Sequence, residues 1–223
     1  MHKLIATILA ALGLNTAAQA EATTRFVDPK TIRYPTPALS IDELEYVMPT
    51  KQSFESAPQF HEDEWRQVEF YPSSHLANLQ QQLTEYKAFE AKNRTQYGWN
   101  NVYKRKPPEL PIVPSGVNIE SLTKLLGTRF APAPILTTSS RPLGQVKNGY
   151  TLHLPSGVFL YGQSANSVPR SLAILVEQGG DDQQVVGAFQ RLNKVYGLVL
   201  IDWRAQQILV SSTAAGKINV WRP

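Results

Sequence analysis

Residues 179–202, which read GGDDQQVVGAFQRLNKVYGLVLID, decide the fold class of this chain. The two glycines break the preceding element, and Asp181 and Asp182 supply caps for a helix. The apolar positions of that helix step by four, three and four residues, at Val185, Phe189, Leu192 and Tyr196. Gly197 then ends the helix, and the run Leu198–Ile201 is typical of a buried strand. The stretch therefore predicts a helix that packs across a sheet.

The residues around this stretch predict the rest of a C-terminal domain, 148–223. Upstream, the alternating run Tyr150–Leu154 and the run Val158–Tyr161 flank a Pro-Ser-Gly turn, which is typical of a hairpin. Leu172–Val176 reads as another buried strand, and two further strands follow Asp202. The predicted order is β-β-β-α-β-β-β, a mostly antiparallel sheet with one crossing helix. The fold class is therefore α+β.

Residues 64–130 predict a smaller α/β unit. A strand over Trp65–Tyr71 precedes an amphipathic helix from about Ser74 to Lys92, and the segment Tyr97–Tyr103 follows as a second strand. The helix is indicated by apolar residues at helical spacing, namely Leu76, Leu79, Leu83 and Tyr86. These elements predict a small β-α-β unit. A shorter helix is expected between Asn118 and Gly127.

Two segments rich in proline flank this unit. Residues 21–63 carry five prolines among polar residues and are predicted to form an extended arm. Within the arm, Ser40 and Glu43 have the spacing of a capping box and predict one short helix over Ser40–Met48. Such an arm either docks on a partner or wraps its own core, and the sequence leaves both alternatives open. Residues 131–147 are predicted to be a linker.

The N-terminus, residues 1–20, has the pattern of a secretory signal peptide. Lys3 precedes an apolar run from Leu4 to Leu14, and the segment ends in Ala18-Gln19-Ala20. The apolar run is shorter than the roughly 20 residues of a spanning helix, so cleavage before Glu21 and no transmembrane segment after cleavage are expected. This pattern predicts export to the periplasm.

Composition excludes several chemistries. The chain has no cysteine, so it can form neither disulfides nor thiolate metal sites, and it has no cysteine nucleophile. Its formal net charge of +4 comes from residues spread along the chain. A nucleic-acid-binding protein is expected to carry a concentrated basic face, so nucleic acid is not predicted as a partner.

Candidate catalytic and metal-binding groups are sparse. The sequence has no Gly-x-Ser-x-Gly elbow, and the mature chain's histidines are single residues at His61, His75 and His153. We therefore predict neither a metal nor a cofactor. Asp202 follows a buried strand but also begins a turn, and the turn role is favoured. A carboxylate hydrolase remains the less favoured alternative, if Glu177, Asp182 and Asp202 converge.

One short stretch combines aromatic and basic side chains, and we predict that it is a binding surface. Aromatic rings beside cations suit a protein partner, a polyanion or a glycan. The alternative is that the rings face the core and the cations lie in solvent. The candidate binding residues are Tyr97, Trp99, Tyr103, Lys104, Arg105 and Lys106.

The sequence therefore predicts binding without catalysis. The first class is a periplasmic protein-binding factor, either an envelope, secretion or conjugation component or a toxin inhibitor, whose partner is a protein of the cell envelope. The second is a cell-wall or glycan-binding module that uses Trp99 and Tyr103. An enzyme is the third and least favoured class.

Overall fold

The computed structural model describes residues 33–105, 107, 111–213 and 215–223. The predicted signal peptide and Lys106 of the candidate binding residues lie outside the described residues. The strands are β1 (Ala38–Ser40), β2 (Tyr46–Val47), β3 (Gln59–His61), β4 (Val68–Pro72), β5 (Arg94–Thr95), β6 (Gly98–Trp99), β7 (Tyr103–Arg105), β8 (Arg129–Ala131), β9 (Ile135–Thr137), β10 (Pro142–Val146), β11 (Gly149–Leu154), β12 (Val158–Ala165), β13 (Val168–Pro169), β14 (Ala173–Val176), β15 (Leu198–Asp202), β16 (Gln207–Ser212) and β17 (Ile218–Trp221). The helices are α1 (Lys51–Ser56), α2 (Leu76–Asn93), α3 (Ile119–Leu126) and α4 (Asp182–Tyr196).

A large antiparallel sheet organises these elements. Its strand order is β17-β16-β15-β4-β14-β12-β11-β8, with β13 paired to β12. Helix α4 connects β14 to β15 and so crosses over β4, which pairs antiparallel with both strands. The predicted α+β class, with an antiparallel sheet and a crossing helix, is confirmed.

The helix boundaries follow from their caps. Asp181 caps α4 by accepting the amide hydrogen of Gln183, and Gly197 ends α4 in the left-handed conformation at φ +64°. In α3, Asn118 accepts the amide hydrogen of Ser121, and Gly127 again ends the helix with a positive φ. Because these signals are local, the sequence places both helices correctly.

The sheet is covered on both faces, and successive residues of a strand face opposite cores. Leu198 and Leu200 pack with α3 and α4, whereas Val199 and Ile201 pack with α2. The small sheet β2-β10-β9-β3 covers part of the α2 face, where Leu136 and other residues of that sheet pack against strands β12 and β14. The central strands β4 and β15 are therefore buried on both sides, whereas the edge strands β8 and β17 are partly exposed.

The predicted β-α-β unit does not form, because its first strand, β4, pairs with other strands. Strand β4 lies between β14 and β15 in the large sheet, and it does not pair with β5, β6 or β7, the three strands that come directly after α2. Those strands pair elsewhere: β6 with β5, and β7 in parallel with β1. Residues 64–130 thus share a sheet with residues 148–223, and Arg33–Pro223 belong to one compact unit.

The helix predicted for Ser40–Met48 is wrong. Ser40 ends β1, which pairs with β7, and Tyr46–Val47 form β2, which pairs with β10. A short helix, α1, begins later at Lys51, with Thr50 as its N-cap. Tertiary strand pairing therefore overrides the capping-box spacing at Ser40 and Glu43.

The segment predicted to be a linker contributes strands. Residues 131–147 contain β9 and β10, and β8 ends at Ala131. Pro142 is the first residue of β10, and a register shift follows it at Gly144, whose φ is +128°. Proline and glycine are tolerated at such positions because a strand start or a bulge needs fewer ladder hydrogen bonds.

Candidate functional site

The structure separates the candidate binding residues. Tyr97 is 79% exposed, and Trp99 is half-buried at the edge of a cleft. Tyr103 packs against Tyr86 and Phe89, with ring centroids 5.4 and 5.5 Å apart. Lys104 is exposed and lines, with Tyr103, a groove along α2. These residues therefore do not form one continuous aromatic and basic surface.

Arg105 lies in the interior and is only 2% exposed. Its Nη1 donates to Glu69 Oε1 at 3.2 Å and to the carbonyl oxygen of Arg66 at 2.6 Å. Its guanidinium also lies 5.0 Å from the ring centre of Trp203, a cation–π distance. Arg105 is thus a structural residue and cannot serve as an exposed contact for a partner.

Glu69 is the centre of a buried charge network. Arg66 Nε donates to its Oε2 at 2.6 Å, and Trp203 Nε1 donates to its Oε1 at 2.9 Å. Together with Arg105, three side chains bind this one carboxylate. Sequence reasoning missed the network, although a glutamate within a strand that is buried on both faces is a signal of a buried ion pair.

Asp42 ties the N-terminal segment to this network. Its two carboxylate oxygens lie 2.7 and 2.8 Å from Arg66 Nη1, and Trp65 Nε1 donates to Oδ2 at 2.8 Å. The network therefore contains two carboxylates and two guanidiniums, so its formal charges cancel. Arg66 itself has a φ of +55°, a conformation that non-glycine residues seldom adopt. Its side-chain and backbone partners hold it there.

Asp42 gives the network a predicted pH dependence. Burial would raise the pKa of Asp42, but the charge of Arg66 and the hydrogen bonds from Arg66, Trp65 and Ser40 outweigh burial and lower it. We expect Asp42→Asn to lower the free energy of unfolding by about 2 kcal/mol or more at neutral pH. A lowered folded pKa stabilises the fold above the unfolded value near 3.8, and that stabilisation is lost as the pH falls through the folded pKa.

Urea unfolding of both proteins between pH 2.5 and 7 measures this effect. The difference between wild type and variant should be constant above about pH 5 and shrink below about pH 4. A difference that stays the same down to the lowest pH would show that the Asp42 carboxylate does not contribute through its charge.

Trp99 borders the cleft that we consider the candidate binding site, and we call it the Trp99 cleft. The cavity has a volume of about 450 Å³. Its walls come from the N-terminal segment at Pro35–Pro37, from helix α2 and from the turn His61–Glu64. Its lining residues with polar or aromatic side chains include Asp63, Glu64, Tyr86, Glu90, Trp99 and Arg204.

Four of the exposed large apolar side chains lie close together in the sequence. Met48 is 91% exposed, and three neighbours in sequence are each about half exposed. Val47 belongs to β2, an edge strand of the small sheet. We call this set the arm surface, and its members are Ile41, Val47, Met48 and Phe54.

The carboxylates considered for hydrolysis converge only in part. Asp182 and Asp202 line one cavity of about 330 Å³ with Glu64 and Arg204, whereas Glu177 does not line it. Asp202 Oδ1 accepts the amide hydrogen of Ala205 at 2.9 Å, so the predicted turn role is confirmed. Arg204 Nη2 pairs with Glu64 at 2.5 Å. Glu64 and Asp202 thus have structural partners at this cavity.

Comparison with known proteins finds no match for this chain. No family model matches the chain, and neither a curated protein nor a solved structure matches it.

Within the described ranges, no three His, Asp or Glu side chains lie close enough together to hold a metal ion. In the same residues, no helix has both the length and the apolar character needed to cross a bilayer.

Proposed function

We propose that the chain is an exported periplasmic protein-binding factor that acts without catalysis. Its partner is a protein of the cell envelope, and the chain serves either in an envelope, secretion or conjugation apparatus or as a toxin inhibitor. The signal-peptide pattern of residues 1–20 supports export. Protein recognition is supported by the arm surface.

The arm surface is the observation that carries this proposal. Large apolar side chains are usually buried, and a group of them exposed together is typical of a protein-binding region. Ile41, Val47, Met48 and Phe54 fall within fourteen residues of sequence, on a segment that strands β1 and β2 attach to the core. Strands β1 and β2 fix the backbone beside Ile41 and at Val47, so less backbone freedom is lost when a partner covers these side chains.

The charged interior also favours binding over catalysis. Glu69 receives hydrogen bonds from Arg66, Arg105 and Trp203, so its charge is neutralised within the core. A buried carboxylate that is fully paired in this way stabilises a structure and is poorly placed to exchange protons with a substrate. The Asp202 carboxylate accepts a backbone hydrogen bond within the turn that follows β15. These charged groups therefore have structural explanations.

Photo-crosslinking in the periplasm tests the proposal. A benzophenone amino acid placed at Met48 should form a crosslink to one defined envelope protein, because the arm surface would be covered by the partner. The matched control places the same group at Val195, which is also exposed but lies on helix α4. Equal crosslinking at both positions, or none at Met48, would contradict the proposal.

A glycan-binding module is a second candidate, and the groove along α2 favours it. The groove has a volume of about 710 Å³ and is lined by the amides Asn78, Gln81 and Gln82 together with Tyr103. Amides and an aromatic ring in a cavity of this size suit a small sugar. Co-sedimentation with isolated peptidoglycan tests this candidate. Sedimentation that Gln81→Ala abolishes would favour it over protein binding.

A further inference from the structure

We infer that strand β17, an open edge of the large sheet, binds an extended acidic segment of a partner protein as an added strand. In the described part of the chain, β17 (Ile218–Trp221) pairs with β16 alone. An unpaired strand edge is a template for a further strand. This edge belongs to a different sheet from β2 of the arm surface, so the inference goes beyond the function proposed above and does not depend on it.

The ladder between β16 and β17 shows which main-chain groups of β17 point outward. Thr213 and Lys217 form a hydrogen-bonded pair, because the Thr213 amide donates to the Lys217 carbonyl oxygen at 2.8 Å. Pairs alternate along an antiparallel ladder, so the next pair, Ser212 and Ile218, is not hydrogen-bonded. The N–H and C=O groups of Ile218 therefore point away from β16. Those of Val220, two residues later, do the same.

The alternation along β17 is regular despite a bulge in this ladder. The bulge lies on β16, where the register skips Val210, while Asn219 and Val220 of β17 are both paired. The Val220 side chain is 40% exposed and lies on the same face as Ile218. An added strand would therefore bind two outward donors and two outward acceptors and would cover Val220.

The two edges of the large sheet differ in how well they can accept a strand. Strand β8, at the opposite edge, has three residues, and Pro132 and Pro134 follow it. Proline has no main-chain donor, so the continuation of β8 is blunted. Strand β17 has four residues, and none of them is a proline. Of the two edges, β17 is therefore the better template for an added strand.

The charges beside β17 favour an acidic segment. Lys217 precedes the strand, Arg222 follows it, and both are exposed. Arg222 Nη2 donates to the neutral side chain of Gln207 at 2.6 Å. Within the described residues, neither cation forms an ion pair. Both ends of the edge therefore carry a positive charge that a partner's carboxylates can neutralise.

Nearby residues do not compensate these cations. Residues 203–223 contain no Asp or Glu, and the oxygen of Pro223 already accepts a hydrogen bond from Lys87 Nζ of helix α2. Two basic edges repel each other, so the same charges disfavour the pairing of β17 with a second copy of the chain. A strand with acidic residues near its ends gains both main-chain hydrogen bonds and charge pairing.

Nuclear magnetic resonance on the full, isotope-labelled chain tests the inference. The probe is the peptide acetyl-Glu-Val-Thr-Val-Thr-Glu-amide, and its matched control carries glutamine in place of both glutamates. We expect the amide resonances of Ile218 and Val220 to shift saturably and to exchange with solvent at least tenfold more slowly at saturation. The glutamine peptide should bind at least threefold more weakly. Phe130, on the opposite edge strand β8, should not shift.

Two variants and a matched control test the residues of the edge. Val220→Pro removes an outward N–H but no bond of the ladder, so it should fold and bind the peptide at least tenfold more weakly. Lys217→Gln with Arg222→Gln should bind at least threefold more weakly than wild type. The control, Lys124→Gln with Lys147→Gln, removes two exposed cations elsewhere and should bind like wild type. Urea unfolding shows whether each variant is folded, and the charge variant decides if Val220→Pro is not.

Several results would overturn the inference. The peptide could shift neither Ile218 nor Val220, it could shift Phe130 equally, or the glutamine peptide or the charge variant could bind without loss. A free chain that light scattering shows to be a dimer, and that Val220→Pro dissociates, would assign the edge to a second copy instead. A missing Met48 crosslink with peptide binding intact contradicts only the proposed function. A full crosslink without peptide binding contradicts only this inference.

Discussion

Replacing Glu69 by glutamine should lower the free energy of unfolding by about 3–5 kcal/mol, because the substitution leaves Arg66 and Arg105 buried without their shared counter-charge. Glu69 is 2% exposed and accepts hydrogen bonds from both guanidiniums. The amide of glutamine keeps one acceptor oxygen but turns its nitrogen, a donor, toward a second donor. Urea unfolding at pH 7 measures the loss.

The control for this prediction is Glu120→Gln, which breaks an exposed pair with Lys124 on helix α3. Exposed pairs contribute little, so this variant should unfold within about 0.5 kcal/mol of wild type. A loss of less than about 1 kcal/mol for Glu69→Gln would show that the network does not stabilise the fold through charge.

Trp203→Ala should lower the free energy of unfolding by about 3–5 kcal/mol. Trp203 is 1% exposed and packs against Tyr86, with ring centroids 6.2 Å apart. The substitution removes a large buried ring and leaves a cavity beside Arg105. It also removes the Nε1 donor of Glu69. Unfolding followed by far-UV circular dichroism in urea measures the change.

A matched aromatic variant is Tyr97→Ala. Tyr97 is largely exposed, so its loss should change the free energy of unfolding by less than about 0.5 kcal/mol. Trp203→Phe is also informative, because phenylalanine keeps much of the packing but not the hydrogen bond. If Trp203→Ala and Tyr97→Ala destabilise equally, the structural role assigned to Trp203 is incorrect.

The elements that the sequence places correctly are those with local start and stop signals. Helix α4 is bounded by Asp181 and Gly197, and α3 by Asn118 and Gly127, so neither boundary depends on distant residues. The hairpin of β11 and β12 is likewise indicated by its Pro-Ser-Gly turn and its alternation. Local chemistry was sufficient for these elements.

Where tertiary pairing decides, the sequence misleads. Ser40 and Glu43 have capping-box spacing, yet Ser40 pairs with Arg105 in the β1–β7 ladder, and the Ser40 hydroxyl donates to Asp42. Pro142 and Gly144 suggest a linker, but they begin and bend strand β10. A partner far along the chain determines the conformation at Ser40, whereas β10 pairs both with the neighbouring strand β9 and with the distant strand β2.

The candidate site was predicted only in part. Trp99 does border a cleft, but Arg105 lies in the core because Glu69 and Trp203 bind it there. A run of three cations gives no indication that one of them is buried. The carboxylates of the Trp99 cleft come from the turn before β4 and from helix α2, and their convergence with Trp99 depends on the tertiary fold.

The most direct test of protein binding is a titration with the purified partner that the Met48 crosslink identifies. Wild type, the arm-surface variant Val47→Asp with Met48→Asp, and the control Val195→Asp are compared by isothermal titration calorimetry. Charges on the arm surface should weaken binding at least tenfold, by about 1.4 kcal/mol or more, whereas Val195→Asp should bind like wild type. Equal affinity of all three proteins would contradict the account.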